Sequence, residues 1–277
     1  MPKKLMFITG VSSGLGQALA IEALAADFRV VGTVRNEAAR SDFERRMPGH
    51  AFGRLLDVTD HAAVAATVEC VEAEIGPIEV LVNNAGYGHE GTIEESSMED
   101  LRRQFEVNVF GPVAVIKAVL PLMRVRRRGR IINISSMAGL MTMPGLGYYH
   151  GSKFALEGIS GALGKETKGF GIAVTAVEPG TFRTDWAGRS MVHTRRTVAD
   201  YDSLINPLRA SRAARSGKQP GDPTKAARAI LTVIGAENPP AHLLLGPDAL
   251  KMVRAERASF ERELSDWECQ SLSTNFD

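Results

Sequence analysis

Short apolar runs alternate with longer amphipathic or Ala/Leu-rich stretches through most of the chain. Residues 5–9 form a compact apolar run, the pattern of a strand buried on both faces. Residues 15–26 are rich in Ala and Leu and predict a helix. Residues 29–34 return to strand, and 51–56 form a weaker third strand. Asp60 stands where a helix cap is expected, before a helix that runs to Ile75 and stops at Gly76-Pro77. Residues 78–82 predict a fourth strand. A helix is expected over 98–123, with Pro112 and Pro121 as kinks or boundaries, and a fifth strand over 130–134. The next helix, 148–168, is diluted by Gly151, Gly158, Gly161 and Gly164, a composition that suits close approach of another helix. Strand, helix, strand and helix follow at 172–177, 224–236, 242–245 and 247–267.

Such alternation predicts one α/β domain over residues 1–277, with a doubly wound, mostly parallel seven-stranded sheet and helices on both faces. Its crossovers should be right-handed. Residues 182–222 break the rhythm, being polar with little strand signal. An insertion of about 40 residues in a compact domain is a functional lid or a disordered stretch. The helical tail, 247–277, carries Phe260 and Trp267, which can cover a neighbouring chain or its own core.

Composition adds limits. With 44% hydrophobic and 23% charged residues, a large core is possible. A net charge of +1 gives no global field for nucleic acid or an anionic membrane. Arg124, Arg126, Arg127, Arg128 and Arg130 read as the solvated end of a helix, where cations suit the dipole. No stretch approaches the ~20 apolar residues of a membrane span, and the first residues lack a signal-peptide pattern. Cys70 and Cys269 are too few for a disulfide framework, so a reducing, cytoplasmic setting is expected. No His, Cys, Asp and Glu grouping has metal-ligand spacing.

The first candidate chemistry is Thr9-Gly10-Val11-Ser12-Ser13-Gly14-Leu15-Gly16, directly after the first strand and opening a helix. Strand, glycine turn and helix start is the context of a dinucleotide fingerprint. Glycines let the backbone approach a pyrophosphate, and unpaired N–H groups at the helix start face the anion. The second strand ends at Val34-Arg35 without the acid that would select NAD by gripping the ribose hydroxyls. Arg35 instead offers a planar fork for a 2′-phosphate, with Ser12 in reach, so NADP(H) is expected over NAD(H).

Three further motifs lie in register: Asn83-Asn84-Ala85-Gly86 after the fourth strand, Ser135-Ser136 after the fifth, and Tyr149-His150-Gly151-Ser152-Lys153 at the next helix. Together with the glycine loop they resemble the short-chain dehydrogenase/reductase family, over residues 5 to about 184. The likeness is to its NADP-preferring, 17β-hydroxysteroid dehydrogenase-like members. It implies a Rossmann-like fold and hydride transfer between nicotinamide and a carbonyl or alcohol.

The chemistry of the pair Tyr149 and Lys153 can also be argued directly. Residues four apart on a helix share a face. A free phenol has a pKa near ~10, too high for proton exchange at neutral pH. A nearby ammonium and the positive charge of oxidised nicotinamide would lower it, making Tyr149 the acid/base. By resemblance, Lys153 also bonds the nicotinamide ribose, Ser136 holds the carbonyl oxygen as charge develops, and Asn108 supports a water relay to the lysine. Asp57 and Val58 would touch the adenine, though Asp57 also suits a turn. Asn84, Ala85 and Gly86 would line the adenosine side or brace the sheet. Pro179, Gly180, Thr181 and Thr184 would lie beside the nicotinamide.

His150 is bulkier than the small residues usual after the tyrosine, and is expected to point outward. His89 can approach the substrate or be an ordinary loop histidine. Trp186 and Met191 would cover a substrate, with Met137, Leu140, Met141, Met143 and Pro144 across the cleft, so a hydrophobic ketone or alcohol is expected. The methionines can equally fill core space. Arg183 and Arg189 leave an acidic substrate open. A homodimer or homotetramer is expected from the resemblance, with no nucleic-acid or membrane partner. The competing reading is a catalytically weak, NADP(H)-sensing regulator on the same fold. Retention of Tyr149, Lys153 and Ser136 favours the enzyme.

Overall fold

The computed structural model describes residues 3–276. Its elements run β1 (Leu5–Ile8), α1 (Gly14–Ala25), β2 (Arg29–Val34), α2 (Glu37–Glu44), β3 (Ala51–Leu55), α3 (His61–Glu74), β4 (Ile78–Asn83) and β5 (Gly88–Glu90). They continue through α4 (Met98–Phe105), α5 (Gly111–Arg126), β6 (Gly129–Ile134), α6 (Gly147–Thr167) and β7 (Ile172–Pro179). The last part holds β8 (Met191–His193), α7 (Asp202–Arg215), α8 (Pro223–Gly235), β9 (His242–Leu245), α9 (Pro247–Asp266) and α10 (Glu268–Leu272).

Seven strands form one parallel sheet in the order β3-β2-β1-β4-β6-β7-β9. The order reverses between β1 and β4. Crevices outside the carboxyl ends of strands at such a reversal are where open α/β sheets take ligands. The alternation of a strand assigns each residue to a face. Met6 and Ile8 join Leu19, Ala23, Ala227 and Ile230 on one side, in contact with α1 and α8. Leu5 and Phe7 join Val64, Val68, Val115, Val119 and Met123 on the other, against α3 and α5. β1 is therefore apolar throughout.

Local signals account for many boundaries. Asp60 caps α3 by accepting from the Ala63 N–H at 2.9 Å. Asn36 does the same for α2 through Ala39 N–H, a short helix the apolar pattern did not reveal. The helix expected over 98–123 is continuous but changes register: residues 106–110 form a π turn between α4 and α5. Neither proline breaks it. Pro112 sits in the first turn of α5, where no N–H is needed, and Pro121 is carried inside. Within the joined stretch Met98–Arg126 an 18-residue window of mean hydropathy 1.5 is long and apolar enough to cross a membrane by composition, contrary to the expectation of no such segment. Here Val115, Ile116, Val119 and Met123 of that stretch are buried in the core.

Several arginines expected to be solvated are anchored. Arg126 holds Glu72 at 2.7 and 2.9 Å and Arg128 holds Glu79 at 2.9 Å. Arg130 donates to the Ala236 carbonyl at 3.2 Å. Within the chain the α6 glycines differ among themselves. Gly151 faces Phe105 of α4, but a side chain at Gly158 or Gly161 would meet nothing within 4 Å.

Residues 182–222 are an ordered layer containing two 3₁₀ turns, β8 and α7. β8 pairs in parallel with β5, with Gly88 opposite Met191. Glu90, 1% exposed, takes Arg209 and Arg212 of α7 and lies 3.2 Å from His193. Burial raises its pKa, but the two guanidinium hydrogen bonds prevail and hold it below the usual carboxylate range. Glu95 accepts from the N–H groups of Thr197 and Val198 and from Arg196.

Phe7 is fully buried and Phe276 fully exposed. Phe7→Ala should lower unfolding stability by about 3–5 kcal/mol, and Phe276→Ala should leave the urea midpoint unchanged. Equal midpoints for the two variants would contradict this core.

Candidate active site

The glycine loop sits where β1 ends beside β4. Gly10 turns with φ +73°, and a Cβ there would lie 3.1 Å from Ala85 Cα. Gly16 is tighter: an added Cβ would stand 2.2 Å from Gly10 O and 2.3 Å from Asn84 Nδ2. Asn84 closes the turn by donating to the carbonyls of Thr9 at 3.0 Å and Gly10 at 2.8 Å. Thr9 Oγ1 accepts from the N–H groups of Asn84 and Ala85, both at 3.0 Å. Of the two readings of Asn84 and Ala85, bracing is visible directly. Thr9 is the partner that motif reading did not single out.

Ser13 is the N-cap of α1 and makes no side-chain cap hydrogen bond, so the helix start keeps donors for an anion. A cavity of about 420 Å³ opens there, lined by Ser12, Ser13, Gly14, Gln17, Arg183, Thr184 and Arg189 among others. Leu15 packs from the other side against the core. A second cavity of about 310 Å³ is lined by Arg35, Leu55, Leu56, Asp57, Asp60 and Ala63. Arg35 is exposed at its edge, and no acidic residue ends β2. Asp57 accepts from Thr59 N at 3.0 Å and Thr59 Oγ1 at 2.8 Å, the turn geometry that had been its alternative. Those bonds hold its pKa down, with Arg35 a smaller contributor. Val58 is buried beneath, against Gly111. An uncapped helix start, close-approach glycines and flanking cavities fit a dinucleotide.

At the carboxyl end of β6, Tyr149, Lys153 and Ser136 come together. Lys153 is 6% exposed and donates to the Ile134 carbonyl at 2.8 Å, its ammonium 5.8 Å from the Tyr149 ring centre. Burial brings the lysine down to about 8, against an upward pull from Glu157. Burial pushes Tyr149 up to about 12, while hydrogen bonding to Ser136 and Trp186 pulls the other way. Ser136 Oγ also accepts from Ala138 N at 3.1 Å and stands 3.5 Å from the Pro179 carbonyl.

Asn108 lies in the π turn. Its Nδ2 donates to Tyr87 O at 3.0 Å and Ser152 Oγ at 3.1 Å, and its Oδ1 accepts from Tyr87 N at 3.1 Å. The side chain is thus a brace between the segment after β4 and α6, occupied by protein groups. Gly86 lies against it, 3.1 Å from a would-be Cβ to Asn108 Oδ1.

Beyond β7 the expected nicotinamide-side residues divide. Thr181 gives both N–H and hydroxyl to Asp248 Oδ2, at 2.8 and 2.6 Å, and Gly180 packs on the same carboxylate. They anchor α9, and Asp248 was not foreseen because it is 67 residues away in sequence. Thr184 alone of the segment's threonines lines the cavity at the glycine loop. Next to it Trp186 lies on Tyr149, with ring centres 5.2 Å apart. Trp186 and Met191 both press on Gly88, forming the roof.

Other expectations are corrected. His150 does not point outward: it is 3% exposed, with Nδ1 at 2.8 Å from Ala138 O and Nε2 accepting from Met143 N at 2.9 Å. Burial lowers its pKa, consistent with a neutral structural ring. His89 is likewise buried, stacked on Tyr148 and bonded to Thr194 Oγ1 at 2.9 Å. Met137 and Met141, with Leu140 and Met143 beside them, pack beneath Ala249, Val253 and Met252 of α9, so they fill core space.

Fold and site together define a dinucleotide-binding α/β oxidoreductase scaffold. Residues 4–193 match the short chain dehydrogenase family, and the chain belongs to it. The chain is 38% identical over 272 residues to "Oxidoreductase BOA17" of Botryotinia fuckeliana, covering 98% of each. It is 37% identical over 250 residues to the 3-ketodihydrosphingosine reductase of Bacteroides thetaiotaomicron, covering 89% of each. The crystal structure of a short-chain dehydrogenase from Streptomyces avermitilis superposes with TM-score 0.93 at 38% identity, over 100% of both chains. ElxO with NADP bound superposes with TM-score 0.75 at 26% identity, over 90% of this chain and 99% of that one.

Gly16→Ala, which forces the loop off Gly10 and Asn84, should weaken binding of a reduced nicotinamide dinucleotide at least tenfold, read by its fluorescence, with the circular dichroism unchanged. Unchanged affinity would show that this loop conformation does not govern dinucleotide binding.

Proposed function

We propose that the protein is an NADP(H)-dependent oxidoreductase that interconverts a hydrophobic ketone or aldehyde and its alcohol. The observation that carries this reading is the buried pair Tyr149 and Lys153 with half-buried Ser136, at the same carboxyl edge of the sheet as the glycine loop. When bound, the nicotinamide supplies or accepts the hydride. Tyr149 holds its proton at neutral pH and delivers it to the carbonyl oxygen in reduction. In the reverse direction the phenol must lose that proton, which the Lys153 ammonium assists. Ser136 positions the oxygen, and Asn108 fixes the α6 end through Ser152.

Preference for NADP(H) rests on Arg35 at the adenosine-side cavity and on the missing acid after β2. The NADP bound to ElxO supports it. An apolar substrate is supported by Trp186 against Tyr149, by Met191 packed with Trp186 on Gly88, and by the sphingoid reductase among the relatives. Pairing of subunits through the open α6 face at Gly158 and Gly161 is part of the same reading.

Tyr149→Phe should reduce turnover of an apolar ketone panel by about 10²-fold or more with NADPH binding intact, measured by nicotinamide absorbance. Retained turnover would remove the phenol from the mechanism. Arg35→Asp should shift the ratio of kcat/KM values toward NADH by about tenfold or more. An unaltered ratio would leave the 2′-phosphate without its proposed partner.

A further inference from the structure

One helical turn beyond Lys153, α6 carries Glu157, 8% exposed. Glu178, near the end of β7, is wholly enclosed. The two carboxylates meet His242 of β9, with one atom from each residue lying within 4.8 Å of the others. His242 Nδ1 lies 2.7 Å from Glu178 Oε1 and 3.4 Å from Glu157 Oε2. Both oxygens of Glu157, and Oε2 of Glu178, lack a hydrogen-bond partner of good geometry. Gly139 leaves the space, since a Cβ there would lie 2.9 Å from Glu157 Cγ and 2.9 Å from Ser135 Oγ.

Two full negative charges with unpaired oxygens in a dry interior are costly. Like charges so close resist joint ionisation, and a proton between them removes one charge and gives an orphan oxygen a donor. We infer that Glu157 and Glu178 hold a single proton between them, and that the remaining negative charge is what keeps Lys153 an ammonium through the reaction. The inference rests on the proposed Tyr149 and Lys153 chemistry and adds positioning residues to it.

The groups facing the pair are few. Lys153 of α6, Ser135 after β6 and His242 act on Glu157, while Glu157 and His242 act on Glu178. Burial raises both carboxyl groups, and Glu157 raises Glu178 further. Burial lowers Lys153, and Glu157 is the charge that opposes it. His242, half exposed, gives the pair its path to solvent. The proton belongs to the pair, so its loss is a property of both residues.

The signs are opposite for the two carboxylates. Glu157→Gln removes the charge beside Lys153, so the lysine loses its proton at lower pH. The alkaline limb of kcat/KM for NADPH-dependent reduction should then move down by about one pH unit. Glu178→Gln removes the competitor for the shared proton, so Glu157 ionises more readily. The limb should stay or move up. Limbs that shift together, or shift in neither variant, overturn the inference, since a merely structural role lowers the rate at every pH without separating them. Infrared spectroscopy of the wild type supplies the check that needs no variant. A protonated-carboxyl C=O band should persist at neutral pH, and its absence overturns the shared proton. A divalent metal retained by the purified protein at these three residues also overturns it. Activity surviving in Tyr149→Phe would reject the proposed function instead, leaving the infrared band untouched.

Discussion

The site depends on an ammonium held where water does not reach. Lys153 is enclosed by its own helix and the end of β6, and its visible hydrogen bond goes to a backbone carbonyl. In such surroundings a single charge acts strongly on its neighbours, because little solvent screens it. Glu157 and Lys153 act on each other directly, and the Tyr149 ring lies 5.8 Å from that ammonium. The sheet supplies the rigidity: β6 ends between β4 and β7, and α6 packs on β7.

Polar groups knit this frame at the strand ends. Asn83 donates to Asn133 at 2.9 Å, and Asn133 donates to Ser160 on α6 at 2.8 Å. A chain of buried amides thus joins β4, β6 and the catalytic helix. Thr9 and Asn84 tie β1 to β4 in the same layer. Buried amides linked in this way favour one arrangement, because breaking a link would leave further polar groups unpaired in the interior.

Much of this was legible in the sequence, where local chemistry and spacing decide. The apolar runs marked all seven strands of the main sheet, and the glycine loop and the pair Tyr149 and Lys153 were found through short-range motifs. What escaped depends on distant residues or weak local signal. Helix α2 has one buried side chain, Phe43, so it shows little periodicity. α7 contains Pro207 and buries only Ile205, hence its segment read as an irregular insertion. Trp186 could be placed near the substrate, but its tilted contact with the Tyr149 ring depends on the segment that β8 holds against β5. The methionines after β6 were ambiguous because their partner, α9, lies over a hundred residues later. Glu157, Glu178 and His242 belong to three elements, so no sequence spacing joins them.

The pairing of β5 with β8 has a kinetic meaning. Cavities flank the glycine loop, whereas the phenol lies under an indole roof clasped by Glu90 to two arginines of α7. The loop cavities stand open while the phenol is roofed, so under the proposed chemistry the exposure of Tyr149 is timed by how often that clasp yields.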